Sequence, residues 1–209
     1  PDSEVLLALY QQHNDWKFLK KIDGIYNAVI YDKNSNNIHF ITDRYGLGYL
    51  YLVKNGRQIA WASESKAFLK LDWFSPEIRK EGVSDFFEYG YHMGDKTWLK
   101  GVDLLSPATV LSYDLIRQEE IYNKYWHWDE IKSVNVDSIS DEQEVIEELG
   151  RLFIKSVEER SKIPTKAKLG LTLSGGLDSR AILASMPKSK NPLYALTFGK
   201  KGAYDIKIA

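Results

Sequence analysis

The sequence predicts an α+β N-terminal part followed by the start of an α/β domain with a parallel sheet. Short strand-like segments joined by turn residues occupy much of the first half of the chain, which is typical of antiparallel hairpins. Further along, apolar residues at helical spacing (145–157) precede a short apolar run (169–173) that leads through small residues into a second helix (177–184). A strand followed by a tight turn and a helix is typical of a parallel sheet.

The elements of the first half follow from periodicity and turn chemistry. Apolar residues at helical spacing predict a helix over residues 4–19. The Asn55-Gly56 dipeptide predicts a β-hairpin, because both residues accept the left-handed backbone of a tight turn. The other predicted elements are strands at 22–31, 38–42, 50–53, 58–62 and 110–113, and helices at 64–69 and 83–89.

Residues 119–140 are predicted to form a linker. The segment is rich in aromatic residues but shows no clear hydrophobic period, which is typical of chain that wedges between two domains; its aromatic residues include Tyr122, Tyr125, Trp126 and Trp128. We therefore divide the chain into an N-terminal part (1–118), the linker (119–140) and the beginning of a second domain (141–209).

Composition excludes several classes of protein. Lys and Arg number 28 and Asp and Glu number 29, a balance that argues against a nucleic-acid-binding surface. The chain has no cysteine, which excludes disulfides, thiolate metal sites and a thiol nucleophile within it. The four histidines lack metal-ligand spacing, and no apolar run is long enough to span a membrane. We expect a cytoplasmic protein without nucleic-acid or membrane partners.

The most informative feature is the turn Ser174-Gly175-Gly176-Leu177-Asp178-Ser179. Backbone N–H groups and a helix N-terminus converge at such a turn, which suits a phosphate group, and the two glycines let an anion approach closely. A carboxylate beside a phosphate is unfavourable unless a divalent cation lies between them, so Asp178 is predicted to bind Mg²⁺. The turn is not a Walker-type phosphate loop. The alternative interpretation is a Gly-rich turn without a ligand.

This turn resembles the SGG-x-DS pyrophosphate loop of the N-type ATP pyrophosphatases, which cleave ATP between its α and β phosphates. Segments upstream resemble the later part of a class II glutamine amidotransferase domain. Taken in order, they resemble the asparagine synthetase family, glutamine-hydrolysing B type. The segments that carry the resemblance are 2–6, 22–32, 43–47, 50–51, 62–67, 95–102, 105–107, 125–126, 174–179 and 194–199.

The resemblance implies an incomplete Ntn-hydrolase-like αββα sandwich, followed by the start of an N-type ATP pyrophosphatase domain. Members of the family hydrolyse glutamine with an N-terminal cysteine, which releases ammonia. At a second site, ATP adenylates the side chain of aspartate, pyrophosphate leaves, and ammonia displaces AMP to give asparagine. The implied partners are glutamine, aspartate, ATP and Mg²⁺, and a homodimer is left open.

Carried over residue by residue, the resemblance also assigns site residues. Asp2 matches the acidic residue that binds the α-amino group of glutamine, since a desolvated ammonium needs an opposite charge. A helix N-cap is an equally good interpretation of Asp2, and both can hold. The residues that match the ATP and pyrophosphate site are Thr172, Ser174, Gly175, Gly176, Asp178, Ser179 and Phe198. Asp178 is the expected metal ligand, and core packing is the expected main role of the Phe198 ring.

Some positions have a structural interpretation or depart from the family pattern. The Asp43-Arg44 stretch is interpreted as a structural turn. Gly48 and Tyr49 stand where relatives often carry a basic residue and a proline, and Arg180 replaces a frequent serine.

No residue of this chain matches the cysteine nucleophile of the family. We expect it to precede Pro1, because Pro1 falls in the middle of a family pattern and the chain resembles an internal fragment. Two alternatives stay open. One is an adenylating cyclase of the β-lactam synthetase type, which uses an amine acceptor in place of ammonia, and the other is a non-catalytic binding module.

Overall fold

The computed structural model describes residues 2–13, 15–133, 142–164, 167–188, 192–200 and 202–208. The chain divides into two compact units, Pro1–Lys132 and Ser133–Ala209, and the boundary falls inside the segment predicted as a linker. The first unit is a mixed α+β structure with antiparallel sheets, as predicted. The second contains a parallel pair of strands with a helix between them.

The first unit contains two α-helices, seven strands and three short 3₁₀ helices among its described residues. The α-helices are α1 (Asp2–Gln12) and α2 (Lys80–Tyr89), and the 3₁₀ helices are Trp16–Lys21, Ser65–Lys70 and Trp128–Glu130. The strands are β1 (Asn27–Asp32), β2 (Asn37–Thr42), β3 (Tyr51–Asn55), β4 (Gln58–Ala62), β5 (Val102–Leu104), β6 (Thr109–Asp114) and β7 (Glu120–Lys124).

Two antiparallel sheets organise this unit. The first has the strand order β1-β2-β6-β7, and the second has the order β4-β3-β5. The β1–β2 hairpin pairs Asn27 with Thr42, and the β3–β4 hairpin closes on the Asn55-Gln58 pair, where Gly56 has a φ of 57°. The Asn-Gly turn therefore forms the predicted hairpin with the left-handed backbone that selects glycine.

Alternating side chains of the first sheet enter two different hydrophobic clusters, because successive residues of a strand point to opposite faces. On one face, Ile41 and Val110 pack with Leu6 of α1 and with Leu19 of the first 3₁₀ helix. On the other face, Phe40 packs, together with Leu111 of β6, against buried leucines within and next to the strands of the second sheet. The unit is therefore layered, with α1, the first sheet and the second sheet in succession. A third cluster lies around Phe68 of the second 3₁₀ helix.

Two helices differ from the sequence prediction. The single helix predicted over 4–19 is wrong: α1 ends at Gln12 and a separate 3₁₀ helix begins at Trp16. The carboxylate of Asp15 accepts a hydrogen bond from the backbone nitrogen of Lys17 at 2.9 Å, and this cap starts the new helix. The helix predicted at 64–69 is present as the 3₁₀ helix Ser65–Lys70.

The segment predicted as a linker begins with a strand. β7 pairs with β6 from Thr109↔Lys124 to Tyr113↔Glu120 and closes one edge of the first sheet. Tyr125 then turns into the core, where it is 5% exposed and its hydroxyl donates to the carbonyl oxygen of Thr42 at 2.8 Å. Burial raises the pKa of the Tyr125 phenol. Residues 134–140 of the predicted linker lie outside the described residues.

The described part of the second unit consists of α3 (Glu142–Arg160), β8 (Leu169–Thr172), α4 (Leu177–Ser185), β9 (Leu193–Leu196) and α5 (Tyr204–Ile208). β8 and β9 pair in parallel from Leu169↔Leu193 to Thr172↔Leu196, with α4 as their crossover. Within the described ranges, none of the helices has the length and apolar character needed to cross a membrane.

Candidate functional site

The loop Ser174–Ser179 joins β8 to α4, as the sequence predicts. β8 ends at Thr172, and α4 begins at Leu177 with Gly176 as its N-cap in an extended conformation (φ −73°, ψ 160°). The N-terminus of α4 therefore opens at the carboxyl end of the parallel strands, the edge at which α/β sheets commonly bind ligands. Asp178 lies in the first turn of α4 and is exposed.

The loop is held in shape by hydrogen bonds to its own serine hydroxyl groups. The backbone nitrogen of Ser174 donates to the hydroxyl oxygen of Ser179 at 3.1 Å, and the nitrogen of Gly176 donates to the hydroxyl oxygen of Ser174 at 3.2 Å. The two hydroxyl oxygens lie 3.0 Å apart. These N–H groups are thus satisfied within the loop, and the two hydroxyl groups hold the turn in shape.

Asp205 reaches the same loop from 30 residues away. Its carboxylate oxygen Oδ1 accepts a hydrogen bond from the backbone nitrogen of Gly175 at 3.0 Å. A Cβ atom on Gly175 would lie 2.9 Å from that oxygen and 3.2 Å from the Cα atom of Asp205. The sequence assigned no role to Asp205. Its one signal was a position just after a glycine turn beyond the second strand, where the β-α-β topology returns the chain to the loop.

The two other predicted ATP-site residues lie at the same edge of the sheet. Thr172 is the last residue of β8 and is paired with Leu196, and Phe198 follows the end of β9 by two residues. The Phe198 ring is 76% exposed, so core packing as its main role is wrong. The hydroxyl of Thr197 donates to the carbonyl oxygen of Leu173 at 2.8 Å, which ties the two strand ends together.

Electrostatically, the loop carries the carboxylate of Asp178, receives that of Asp205 and has the Arg180 cation beside it. The Arg180 guanidinium donates from Nε to the carbonyl oxygen of Gly176 at 3.1 Å and is held beside the turn. Among the described residues, no group of three His, Asp or Glu side chains is arranged to hold a metal ion. Asp178 would therefore be one protein ligand of a Mg²⁺ ion whose remaining ligands are phosphate oxygens and water, a common arrangement for this cation.

Asp2, the predicted ligand of the glutamine α-amino group, is the first residue of α1. Its carboxylate lies at the positive end of the helix dipole. The start of α1 and residues 22–31 line a cavity of about 720 Å³, and Asp2 and Ser3 form part of its wall. An exposed carboxylate at the wall of a cavity is suited to binding an ammonium group.

The Asp43-Arg44 stretch is a structural turn, as interpreted from the sequence. The Asp43 side chain is 1% exposed, and its carboxylate accepts hydrogen bonds from the backbone nitrogens of Tyr45 (2.9 Å), Leu47 (3.2 Å) and Gly48 (2.7 Å). A fourth, longer bond comes from the nitrogen of Tyr26 at 3.4 Å. Four backbone donors compensate the buried carboxylate and fix the turn.

A partly buried hydrogen-bonded chain that the sequence did not suggest joins α1 to the first sheet. The Tyr10 hydroxyl donates to Asp32 Oδ2 at 2.9 Å. The same hydroxyl lies 3.1 Å from Nε2 of His39. The other ring nitrogen of His39, Nδ1, lies 2.8 Å from the hydroxyl oxygen of Ser112. Trp16 covers the chain, with its ring centroid 5.2 Å from that of Tyr10 and 5.0 Å from that of His39. The sequence showed only the apolar helical periodicity of residues 4–19, because the polar partners of Tyr10 lie on strands of the sheet.

A comparison with known proteins gives a family match for the first unit. Residues 1–126 match a family described as a glutamine amidotransferase domain. Similar proteins include one from Methanocaldococcus jannaschii that is provisionally named a glutamine-hydrolysing asparagine synthetase, with 27% identity over 208 residues. That alignment covers 98% of this chain and 39% of the relative.

Two further relatives show the same pattern. A glutamine-hydrolysing asparagine synthetase of Bacillus subtilis is 26% identical over 94% of this chain and 26% of its own length. The amidase chry2 of Gibberella zeae is 25% identical over 87% of this chain and 26% of its own length. The chain thus spans about a quarter to two fifths of the length of these relatives. The predicted resemblance to the asparagine synthetases is confirmed by similarity that extends over nearly the whole chain.

The match to the amidotransferase family covers α1, both antiparallel sheets and the Asp43 turn, which together make up nearly all of the first unit. It accounts for more than half of the 209 residues. The chain therefore belongs to the glutamine amidotransferase domain family.

Proposed function

We propose that the protein is a glutamine-dependent, ATP-consuming amide ligase that forms asparagine from aspartate. The observation that carries the proposal is the presence of two features in one chain. An amidotransferase domain occupies residues 1–126, and a strand–Ser-Gly-Gly–helix loop follows it at residues 169–185. The first supplies ammonia from an amide, and the second has the form expected for activating an acid with ATP.

In the glutamine half of the reaction, Asp2 binds the substrate. The carboxylate at the cavity wall pairs with the α-ammonium group, which selects a free amino acid over a side-chain amide in a protein. Glutamine and water give glutamate and ammonia. The chain contains no cysteine, so a cysteine that attacks the amide is not among residues 1–209.

In the ATP half, the Ser174–Ser179 loop holds the pyrophosphate portion of ATP. The hydroxyl groups of Ser174 and Ser179, whose oxygens lie 3.0 Å apart in one turn, are the donors. Mg²⁺, with Asp178 as a ligand, would neutralise the charge of the phosphates. The aspartate carboxylate displaces pyrophosphate from the α-phosphate to give an acyl adenylate, and ammonia then displaces AMP.

Aspartate is the acceptor to test first, because the relatives from Methanocaldococcus and Bacillus carry the name of asparagine synthetase. A reaction that consumes ATP and glutamine belongs in the cytoplasm, where we place it.

The test is the product pattern of the native protein supplied with glutamine, aspartate, ATP and Mg²⁺. We expect AMP, pyrophosphate, glutamate and asparagine in equal amounts, measured by chromatography. Release of ADP and inorganic phosphate would overturn the proposal. AMP formation with an amine acceptor and without glutamine would replace it by the cyclase alternative.

One variant separates the two halves. Asp178→Asn removes the metal-binding charge and should abolish AMP formation while glutamine hydrolysis continues. Asp129→Asn is the matched control, because Asp129 is an exposed acidic residue of the first unit whose carboxylate lies 2.8 Å from the His127 ring. This control should retain both activities. Loss of both activities in a folded Asp178→Asn protein would contradict the assignment of two sites.

A further inference from the structure

The three residues Asp2, Leu6 and Tyr10 lie at intervals of four along α1 and therefore share one face of the helix. That face is directed at the first sheet: Leu6 is buried in the core cluster with Ile30 and Ile41. Asp2 lines the cavity formed with residues 22–31 at one end of the helix, and Tyr10 is hydrogen-bonded to the sheet near the other end. A displacement of α1 therefore moves all three residues together.

The hydrogen bonds of Tyr10 have a defined direction. The phenol has one proton and donates it to Asp32, so His39 must donate from Nε2 to the phenol oxygen. The other ring nitrogen of a neutral histidine is then an acceptor, and it accepts the proton of the Ser112 hydroxyl. Hydrogen bonds are therefore donated from Ser112 to His39, from His39 to Tyr10, and from Tyr10 to Asp32. Each hydroxyl and imidazole proton of the network takes part in one of these bonds.

This chain is anchored in rigid structure. His39 is 7% exposed and lies on β2, between β1 and β6, and Ser112 is its direct cross-strand partner in the sheet. Trp16 lies against the Tyr10 and His39 rings, which limits their movement. Burial raises the pKa of Tyr10 to about 12, so the phenol keeps its proton at neutral pH. The network therefore attaches α1 to a rigid part of the sheet.

We propose that Tyr10 is a positioning residue for glutamine binding, because its hydroxyl, held between Asp32 and His39, fixes α1 and with it the carboxylate of Asp2. The inference rests on the proposed function, since it assumes that Asp2 binds the glutamine α-ammonium group. Leu6 supplies apolar contact, which resists separation of helix and sheet but not sliding. The Tyr10 hydrogen bonds are directional and resist sliding as well.

The experiment compares two ligands on the native protein by calorimetry. Glutaramate has the amide and the carboxylate of glutamine but lacks the α-amino group, so its binding does not depend on Asp2. In Tyr10→Phe the ring remains and the hydroxyl is lost. We expect the dissociation constant for glutamine to rise about fivefold to tenfold, and that for glutaramate to stay within about twofold.

Tyr122→Phe is the matched control. Tyr122 also donates its hydroxyl to a carboxylate, that of Glu120 at 3.0 Å, but both residues lie on β7, at the edge of the first sheet away from β1. This control should leave both dissociation constants unchanged. An equal loss for both ligands in Tyr10→Phe would show general disturbance of the fold and would overturn the positioning role.

A double-mutant cycle separates this inference from the proposed function. Asp2→Asn should abolish the preference for glutamine over glutaramate, and adding Tyr10→Phe should then have no further effect on it. If Asp2→Asn leaves the preference intact, the glutamine assignment of Asp2 fails. If Asp2→Asn abolishes the preference and Tyr10→Phe keeps it, only the positioning role fails. Should Tyr10→Phe not fold, His39→Phe keeps a ring but removes the Nε2 donor and is measured in its place.

Discussion

The backbone nitrogen of Gly48 donates a hydrogen bond across 2.7 Å to the buried carboxylate of Asp43. A Cβ atom at position 48 would lie 2.6 Å from both the carbonyl carbon and the carbonyl oxygen of Tyr26, so the approach requires glycine. The carbonyl oxygen of Asp43 also accepts from the nitrogen of Ala108 at 2.8 Å, which joins the turn to the start of β6. The departure from the family pattern at Gly48 thus has a local physical reason.

Asp43→Asn should lower the free energy of unfolding of the first unit by about 2–3 kcal/mol. The amide keeps the shape of the side chain but offers one oxygen in place of two, and its NH₂ group faces backbone donors. Urea unfolding followed by tryptophan fluorescence measures the loss, because all six tryptophans lie in residues 16–128. Asp72→Asn, at an exposed position, is the control. Equal stability of the two variants would show that the turn does not depend on the Asp43 charge.

Gly82 allows close contact between α2 and the chain at Thr97. A Cβ atom on Gly82 would overlap the carbonyl oxygen of Thr97, a residue that is 2% exposed and whose hydroxyl donates to the carbonyl oxygen of Val102 at 2.8 Å. Gly82→Ala should therefore destabilise the first unit by about 3 kcal/mol through overpacking. A lower midpoint of urea unfolding, followed by tryptophan fluorescence, measures the effect.

The control for Gly82→Ala is Gly150→Ala. Gly150 is also a helical glycine, in α3, but a Cβ atom added there would meet no described atom within 4 Å. Alanine should raise the stability of that helix by about 0.5–1 kcal/mol, since it has the higher helix propensity. Far-ultraviolet circular dichroism during thermal unfolding measures both variants. Opposite signs are expected, and a common sign would mean that steric contact does not decide the outcome.

Local chemistry determined which elements could be predicted. The hairpin at Asn55-Gly56 followed from two adjacent residues, and β4 was predicted with its observed bounds, Gln58–Ala62. The break after α1 was missed because Phe18 and Leu19 continue the apolar pattern, and both are buried. Only the Asp15 cap signals the break, and one aspartate is weak evidence against a continuous run of apolar periodicity.

Elements that depend on distant partners were harder to predict. Four of the five residues of β7 are exposed at the edge of its sheet, so the strand shows no buried alternation, and pairing with β6 alone defines it. The contact of Asp205 with Gly175 depends on the parallel pairing of β8 and β9. The strand–turn–helix arrangement around residues 174–179 was predictable, because its glycines, serines and aspartate are contiguous.

His39 should make stability depend on pH. Burial lowers its pKa below the value of about 6.5 that a histidine has in an unfolded chain. Below that pH the unfolded chain binds a proton that the folded one does not, so the free energy of unfolding falls with falling pH and is retained above it. The contribution is at most about 1.4 kcal/mol per pH unit, the limit for one proton.

The measurement is urea unfolding between about pH 5 and 8, a range that brackets the histidine titration. His39→Gln should be less stable than the parent at the upper end, because the ring and its bonds are lost, and should show a flatter pH dependence. His127→Gln, at an exposed position beside Asp129, should keep the slope of the parent. A parent slope that persists in His39→Gln would assign the pH dependence to other groups, with Asp32 the nearest carboxylate in the network.

Gly175 and Gly176 make a matched pair that tests the proposed ATP site. A Cβ atom on Gly175 would lie 3.2 Å from the Cα atom of Asp205 and must push the loop away from α5. A Cβ atom on Gly176 would contact only the rotatable hydroxyl of Ser174, also at 3.2 Å. Gly175→Ala should raise the dissociation constant for ATP·Mg²⁺ about tenfold or more, equivalent to about 1.4 kcal/mol, and Gly176→Ala should raise it less. Calorimetry on the native protein measures both constants, and tryptophan fluorescence confirms that the first unit is unchanged. Similar constants for the two variants would mean that the Gly175–Asp205 contact does not shape the nucleotide site.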